Sequence, residues 1–306
     1  MKKFNEIFID KTKYGEKIQT SEYEKQGKHI IVDQGQAEIA GYTNREEGLF
    51  NEVPVIIFGD HTRLIKYIDE PFFLGADGVK VLRSKEKNAN YKYLYYALKS
   101  AKIPNTGYNR HFKWLKDVEI NYPDSVKQEK IVDILDRVSD VIEKRKAELS
   151  YLDTLIKARF VEMFGDPIRN TQNRPTTEFI NVVKMQRGFD LPVQDRQQDG
   201  EIPVYGSNGA LDYHNVAKIH GGVITGRSGT IGKVFYTEGD FWPLNTSLFS
   251  ADTHGNNVIY LGYLLQLFDL TRFVEGTGVP TLNRNMFHNK QIIDVPIDEQ
   301  RQFAAF

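Results

Sequence analysis

A chain of 306 residues with 40% hydrophobic and 26% charged side chains can bury substantial cores and has room for two domains. It contains no cysteine, which excludes disulfide frameworks and thiolate metal sites together. A formal net charge of -1 excludes a uniformly basic coat, so any polyanion partner must be met locally. No apolar run approaches the ~20 residues of a membrane span, and Met1-Lys2-Lys3-Phe4-Asn5-Glu6 leads into no signal-peptide core, so the expectation is a cytoplasmic protein without a membrane partner.

In chain order, the first strong pattern is Val53-Pro54-Val55-Ile56-Ile57-Phe58, an apolar, β-branched run closed by Gly59, which reads as a buried strand and turn. Residues Asn90 to Ala101 carry helical periodicity. Between Glu86 and Asp117 there is no acidic residue, while Lys87, Lys92, Lys99, Lys102, Arg110, Lys113 and Lys116 alternate with Tyr91, Tyr93, Tyr95, Tyr96, Tyr108, Phe112 and Trp114. In the helical part the aromatic spacing suits packing. The segment Thr106 to Lys116, entered from Pro104-Asn105, reads as a loop suited to nucleic acid, because basic side chains neutralise phosphates and Asn109 and Arg110 are types that bond adenine and guanine edges.

From Val126 to Phe164 there is neither proline nor glycine, and Gly165-Asp166-Pro167 is a helix stop. Ile131, Leu135, Val138, Ile142, Leu149, Leu152 and Ile156 form a heptad seam on a helix roughly 55 Å long, which needs a partner helix along it. Further on, Gly222-Val223-Ile224-Thr225 reads as a strand, Gly226-Arg227-Ser228-Gly229-Thr230-Ile231-Gly232-Lys233 as a glycine-rich turn, and Val258 to Leu270 as a helix. A loop, Gly276 to Asn285, presents Asn283 and Arg284, and Ile297 to Phe306 looks like the first turns of a second long helix.

The glycine-rich turn fails the phosphate-loop test: five residues separate Gly226 from Gly232 where four are required, and Val234 follows Lys233 instead of Ser or Thr. A turn that lets backbone approach a phosphate while Arg227 points outward survives. His29, His61, His111, His214, His220, His254 and His288 include no i, i+4 pair, so they read as surface or satisfied core histidines and no metal is expected. No nucleophile elbow or dinucleotide fingerprint is present, and neither a catalytic residue nor a cofactor is assigned.

The chain is also written twice. Ile224 to Arg227, Phe241-Trp242-Pro243, Tyr260 to Leu265, Asn283-Arg284 and Val295-Pro296 are answered, in the same order, by Ile57 to Asp60, Phe72-Phe73, Tyr93 to Leu98, Asn109-Arg110 and Tyr122-Pro123. The offset drifts from 167 (Gly59 to Gly226) to 174 (Arg110 to Arg284), the behaviour of two homologous domains with loop insertions. Runs of strands with segregated helices favour an α+β class.

These residues resemble the specificity subunit of Type I restriction-modification systems. The second repeat carries that family's Tyr-Gly-Ser-Asn-Gly box at residues 205–209, its glycine turn at Gly226 to Gly232, Phe241-Trp242, the Gly276 to Arg284 loop, the strand Ile292 to Pro296 and Glu299-Gln300 opening a helix. Repeat one departs, with Val32-Asp33-Gln34-Gly35, Gly59-Asp60-His61-Thr62 and Asn105 to Arg110 at the corresponding places. The resemblance implies two homologous mixed α/β target recognition domains, 1–125 and 166–296, separated by a long coiled-coil-type helix, 126–165, with 297–306 the start of a truncated second one. It implies a non-catalytic subunit that reads a bipartite site in double-stranded DNA, through Asn109, Arg110, Lys113, Tyr205, Asn208, Arg227, Ser228, Thr230, Asn283 and Arg284. Modification subunits carrying S-adenosylmethionine chemistry and a translocating restriction subunit are the implied partners. The unpaired seam adds self-association through the long helix. Alternatives are a silent specificity fragment acting as an interaction or exchange module, and a self-sufficient methyltransferase or nuclease.

Overall fold

The computed structural model describes residues 1–75, 77–107, 109–197, 199–276 and 280–306. It divides into two compact units, Met1–Arg145 and Lys146–Phe306, with the division falling inside the long helix.

Unit 1 opens with β1 (Lys2–Lys3), the single helical turn α1 (Phe4–Ile7) and β2 (Phe8–Asp10). It continues through β3 (His29–Val32), β4 (Gly41–Thr43), β5 (Val55–Gly59), β6 (Ile65–Ile68), β7 (Phe72–Leu74) and β8 (Val79–Ser84) to α2 (Tyr91–Lys99), α3 (Phe112–Lys116), β9 (Glu119–Ile120) and α4 (Ser125–Phe164). β5 is buried at every residue, as its unbroken apolar run requires. α2 starts where Asn90 caps it, its side-chain oxygen accepting from the Tyr93 amide at 2.9 Å. Phe112 and Leu115 make the end of the expected Thr106–Lys116 loop a short helix instead: both are buried, so apolar spacing overrides the basic character of the segment.

Unit 2 continues with β10 (Thr176–Glu178), α5 (Phe179–Val182), β11 (Lys184–Arg187), β12 (Ile202–Gly206), β13 (Gly209–His214), β14 (Ile219–Gly226), β15 (Val234–Pro243) and β16 (Ser247–Asp252). α6 (Val258–Phe268), β17 (Val274–Glu275), β18 (Thr281–Leu282), β19 (Gln291–Ile293) and α7 (Ile297–Ala304) complete it. Asn257 caps α6 as Asn90 caps α2.

The duplication is confirmed by strand order. Unit 2 has one six-stranded sheet, β11-β16-β14-β15-β12-β13, and unit 1 has two, β2-β8-β5-β6 and β4-β3-β7. The ten-residue β15 pairs antiparallel with β14 and, further along, parallel with β12. In unit 1 that work is shared: β6 pairs with β5 and β7 runs parallel to β3. Pro71 lies just before β7, at a point where a continuous central strand would need an amide donor. Read through that interruption, the two orders are the same. One small ladder agrees too, since β1 pairs with β9 as β10 pairs with β19, with β1 and β10 each followed by a single helical turn, whereas the β17-β18 ladder of unit 2 has no counterpart among the described residues of unit 1.

Each unit has its own core. In unit 1, Phe4, Phe8, Phe58, Leu94, Leu98, Phe112 and Leu115 join the underside of the sheet to α2, α3 and the first turns of α4. In unit 2 the corresponding cluster includes Phe160 and Phe164 from the end of α4, Tyr260 and Tyr263 from α6, and Phe303 from α7. Gln128 and Gln300 are buried at the openings of α4 and α7, and each donates from Nε2 to the carbonyl five residues earlier, Pro123 O and Val295 O.

Candidate nucleic-acid interface

In unit 2 the glycine turn between β14 and β15 is built by close backbone approach. A Cβ placed on Gly226 would lie 1.8 Å from the Thr230 carbonyl oxygen, so only glycine closes this turn. The amides of Arg227 and Ser228 donate to the Thr246 carbonyl at 2.9 and 3.2 Å, and Arg227 Nε donates to Asn245 O at 3.0 Å. The turn is tied to the Asn-Arg loop by the Leu282 amide donating to Arg227 O at 2.8 Å and by a bridge between Ser228 and Thr281. It is tied to the third segment by Lys233 Nζ donating to Asn208 Oδ1 at 2.7 Å. The structure thus brings together Asn208, Arg227, Ser228, Thr230, Asn283 and Arg284, which are separated by up to 76 positions (284 minus 208) in sequence. The Thr277-Gly278-Val279 part of the expected loop lies outside the described residues.

Two expected contacts have local duties. Tyr205 is half-buried, its ring 5.8 Å from that of Phe241 and 6.3 Å from that of Phe235, and burial raises its hydroxyl pKa. Asn283 is exposed and caps the following turn, its Oδ1 accepting from the Asn285 amide at 3.0 Å. Arg284 is half-buried beside His288, whose pKa is lowered first by burial and then by the positive charges of Arg284 and Lys184. His288 Nε2 accepts from the Met185 amide at 3.2 Å, which makes it a satisfied structural histidine.

Unit 1 gathers the corresponding segments with different chemistry. The Gly59–Leu64 turn is held to the loop before α3 by five hydrogen bonds. Asp60 O accepts from the His111 amide (2.7 Å) and His111 Nδ1 (3.0 Å), and Asp60 Oδ1 accepts from the Phe112 amide (2.7 Å). His61 Nδ1 donates to Asn109 O (3.2 Å), and Arg63 Nη1 to Ile103 O (3.4 Å). The first-box segment joins the same turn: Gln34 Oε1 accepts from the His61 amide at 3.1 Å, and Thr62 Oγ1 donates to Gln34 O at 2.7 Å. Behind it Lys66 is buried and donates to Asp33 O and Ala37 O at 2.7 and 2.6 Å; burial lowers its pKa, opposed by Asp33.

Arg110 is exposed on this loop. Asn109, also exposed, turns its amide nitrogen to the Thr106 carbonyl and so shapes the loop. Lys113 falls on α3, with its ammonium 4.5 Å from the centre of the Trp114 ring. Tyr108 lies outside the described residues. Sequence reasoning missed Gln34, Asp60, His61, Lys66 and His111 as organisers of this surface. What could have pointed to them is their place in the repeat, opposite the better-marked boxes of the second copy.

A model of the family described as Type I restriction modification DNA specificity domain matches residues 1–151 and 170–306. A 133-residue stretch is 29% identical to the Type I restriction enzyme EcoR124I/EcoR124II specificity subunit of Escherichia coli, covering 39% of this chain and 33% of that protein. The matched region is thus about a third of the relative's length. The crystal structure of the Type I restriction-modification system S subunit from M. genitalium matches with a TM-score of 0.60 at 18% identity, covering 99% of this chain and 87% of that one, a likeness of fold. With two matched segments that together take in nearly all of its length, and a strand order repeated in both, the chain belongs to the Type I restriction modification DNA specificity domain family.

Proposed function

We propose that this chain is a non-catalytic DNA-reading subunit in which each unit reads one half of a bipartite site in double-stranded DNA. One observation carries the reading: in both units the same three segments, the first box, the turn after the central strand and the Asn-Arg loop, are tied together at the end of the central strand. They use different side chains in the two units, as two different half-sites require. Arg110 and Arg284 are the base-reading candidates, with Arg227, Lys113 and Lys233 as phosphate anchors and Asn109, Asn208 and Asn283 shaping the loops around them. The test starts from a bipartite site selected out of a randomised duplex pool by the unaltered chain. Arg284→Ala should cost about 1–3 kcal/mol at one half-site only, and Arg110→Ala the same at the other. Equal loss on every sequence would make both residues phosphate anchors and refute the base-reading role.

Partners are expected along α4. Val138, Ile142 and Leu152 are each 48% exposed and Leu149 67%, an apolar stripe on a helix in water. At the end of α4 the stripe is covered, since Phe160 and Phe164 stand 5.3 and 5.8 Å from Phe303 of α7. A cavity of about 700 Å³ in unit 1 is lined by Tyr93, Tyr96 and Ala97 of α2 and by Ile131 and Leu135 of α4. The reading is that a helix of a second polypeptide, a further copy or a modification subunit carrying the S-adenosylmethionine chemistry, lies along this stripe, and that a restriction subunit joins through the resulting complex.

A further inference from the structure

His111 is the most completely buried polar side chain near the unit 1 interface, at 0% exposure, and it sits one residue beyond Arg110. Its ring is held from both sides. The Asp60 carbonyl can only accept, so Nδ1 must carry the proton that bonds it at 3.0 Å; Nε2 is then an acceptor, facing the Thr106 amide at 3.5 Å and its hydroxyl at 3.4 Å. The two ring nitrogens therefore span the loop, one on the turn and the other on the residue that opens the Thr106–Arg110 segment. The buried Asp60 carboxylate finishes the clamp by accepting from the Phe112 amide, while the Asp60 amide donates to Gly78 O at 2.7 Å and anchors the turn to the strand beyond.

In unit 2 the corresponding turn and loop are joined by main chain, Leu282 N to Arg227 O, and no histidine is needed. A backbone ladder fixes its own spacing. A side-chain clamp fixes the loop only as well as the ring is seated. We infer that the Asp60–His111 pair is a positioning device that sets the placement of Arg110, and thereby the sequence preference of unit 1, without touching DNA. The inference rests on the reading that the Thr106–Arg110 loop faces DNA.

The experiment compares the full chain with His111→Asn, His111→Gln, Asp60→Asn and Arg110→Ala, each bound to the selected bipartite duplex and to versions with one half-site scrambled. An asparagine at 111 can still donate to Asp60 O but cannot reach Thr106, and a glutamine reaches Thr106 instead. The Asn variant should lower the unit 1 unfolding temperature by only a few degrees, because the group it strands, Thr106, is exposed, yet reduce discrimination at the unit 1 half-site on the order of tenfold, the scale of one misplaced base contact. Discrimination at the other half-site should stay unchanged. Asp60→Asn, which retains an acceptor for the Phe112 amide, should be close to the unaltered chain. Amide hydrogen exchange over residues 105–111 should quicken in the Asn variant and not in the Arg110→Ala variant. If Arg110→Ala alters half-site preference while both histidine variants leave preference and exchange untouched, the clamp is refuted and the DNA-reading role stands. If Arg110→Ala also leaves preference unaltered, the reading on which the clamp depends has failed first.

Discussion

Gln128 and Gln300 occupy equivalent places in the two repeats, yet the structure gives them unequal work. Gln300 makes three hydrogen bonds from a site 1% exposed: Nε2 to Val295 O (2.7 Å), Nε2 to Asn256 Oδ1 (2.7 Å), and Oε1 from the Asn257 amide (2.9 Å). It thereby joins the opening of α7 to the loop that caps α6. Among the described residues the Gln128 side chain donates to Pro123 O and meets the Tyr122 hydroxyl. Replacing Gln300 with leucine, which keeps the volume, strands the buried Val295 carbonyl and two half-buried groups. At about 1–3 kcal/mol for a fully buried orphan and about 1 kcal/mol for each partly wetted one, the cost is about 3–5 kcal/mol, against about 1–2 kcal/mol for Gln128→Leu. For units of this size each kcal/mol moves the midpoint by about 2–4 °C, so the unit 2 transition should fall by about 10 °C and the unit 1 transition by about 4 °C. Differential scanning calorimetry of the two variants checks this. Equal shifts, or a larger one for Gln128→Leu, would refute the hydrogen-bond count as the source of the difference.

Gly226→Ala forces a methyl onto the Thr230 carbonyl, so the turn must open; DNA discrimination at the unit 2 half-site should collapse, with the unit 1 half-site spared in the same competition assay. Replacing Ile142 and Leu149 together with glutamate should abolish association measured by sedimentation velocity while both unfolding transitions persist, whereas a monomer with the stripe intact at micromolar concentration would remove self-association through α4. Asp136 accepts from Lys92 Nζ and the Tyr96 hydroxyl, both at 2.7 Å, and its pKa is lowered, first by the Lys92 hydrogen bond and then by Tyr96. A depressed carboxylate stabilises the fold above its unfolded value near ~4 and loses that contribution as pH falls through the folded value. Asp136→Asn should therefore flatten the acid limb of unit 1 stability, and a melting profile as steep as that of the unaltered chain in acid would count against the Lys92–Asp136–Tyr96 link. Incubation of the pure chain with DNA and S-adenosylmethionine should transfer no methyl groups; transfer without a modification subunit would overturn the non-catalytic reading.

The duplication, the long helix and the strands and helices with unbroken periodicity were legible in the sequence, because each depends on local pattern. The apolar run of β5 and the absence of proline and glycine through α4 both act within a few residues of themselves. The Thr106–Lys116 segment was misread at its end because Phe112 and Leu115 find their burial against residues as distant as Phe4 and Phe58. The site itself divides along the same line. Arg227, Asn208 and Arg284 stood out through motifs in the second repeat, but only the folded chain shows that Asn109 and Asn283 spend part of their hydrogen-bonding capacity on their own loops. That Asp60 and His111 bind two segments some fifty residues apart was likewise decided by tertiary structure, since a hydrogen bond between distant segments leaves no period in the sequence. The sequence by itself determined that there are two similar units and where each begins to look like a strand or helix. How one unit interrupts at Pro71 a strand that the other carries through, and which polar groups then meet at the end of the central strand, was settled by the pairing of strands, which depends on contacts that no local pattern encodes.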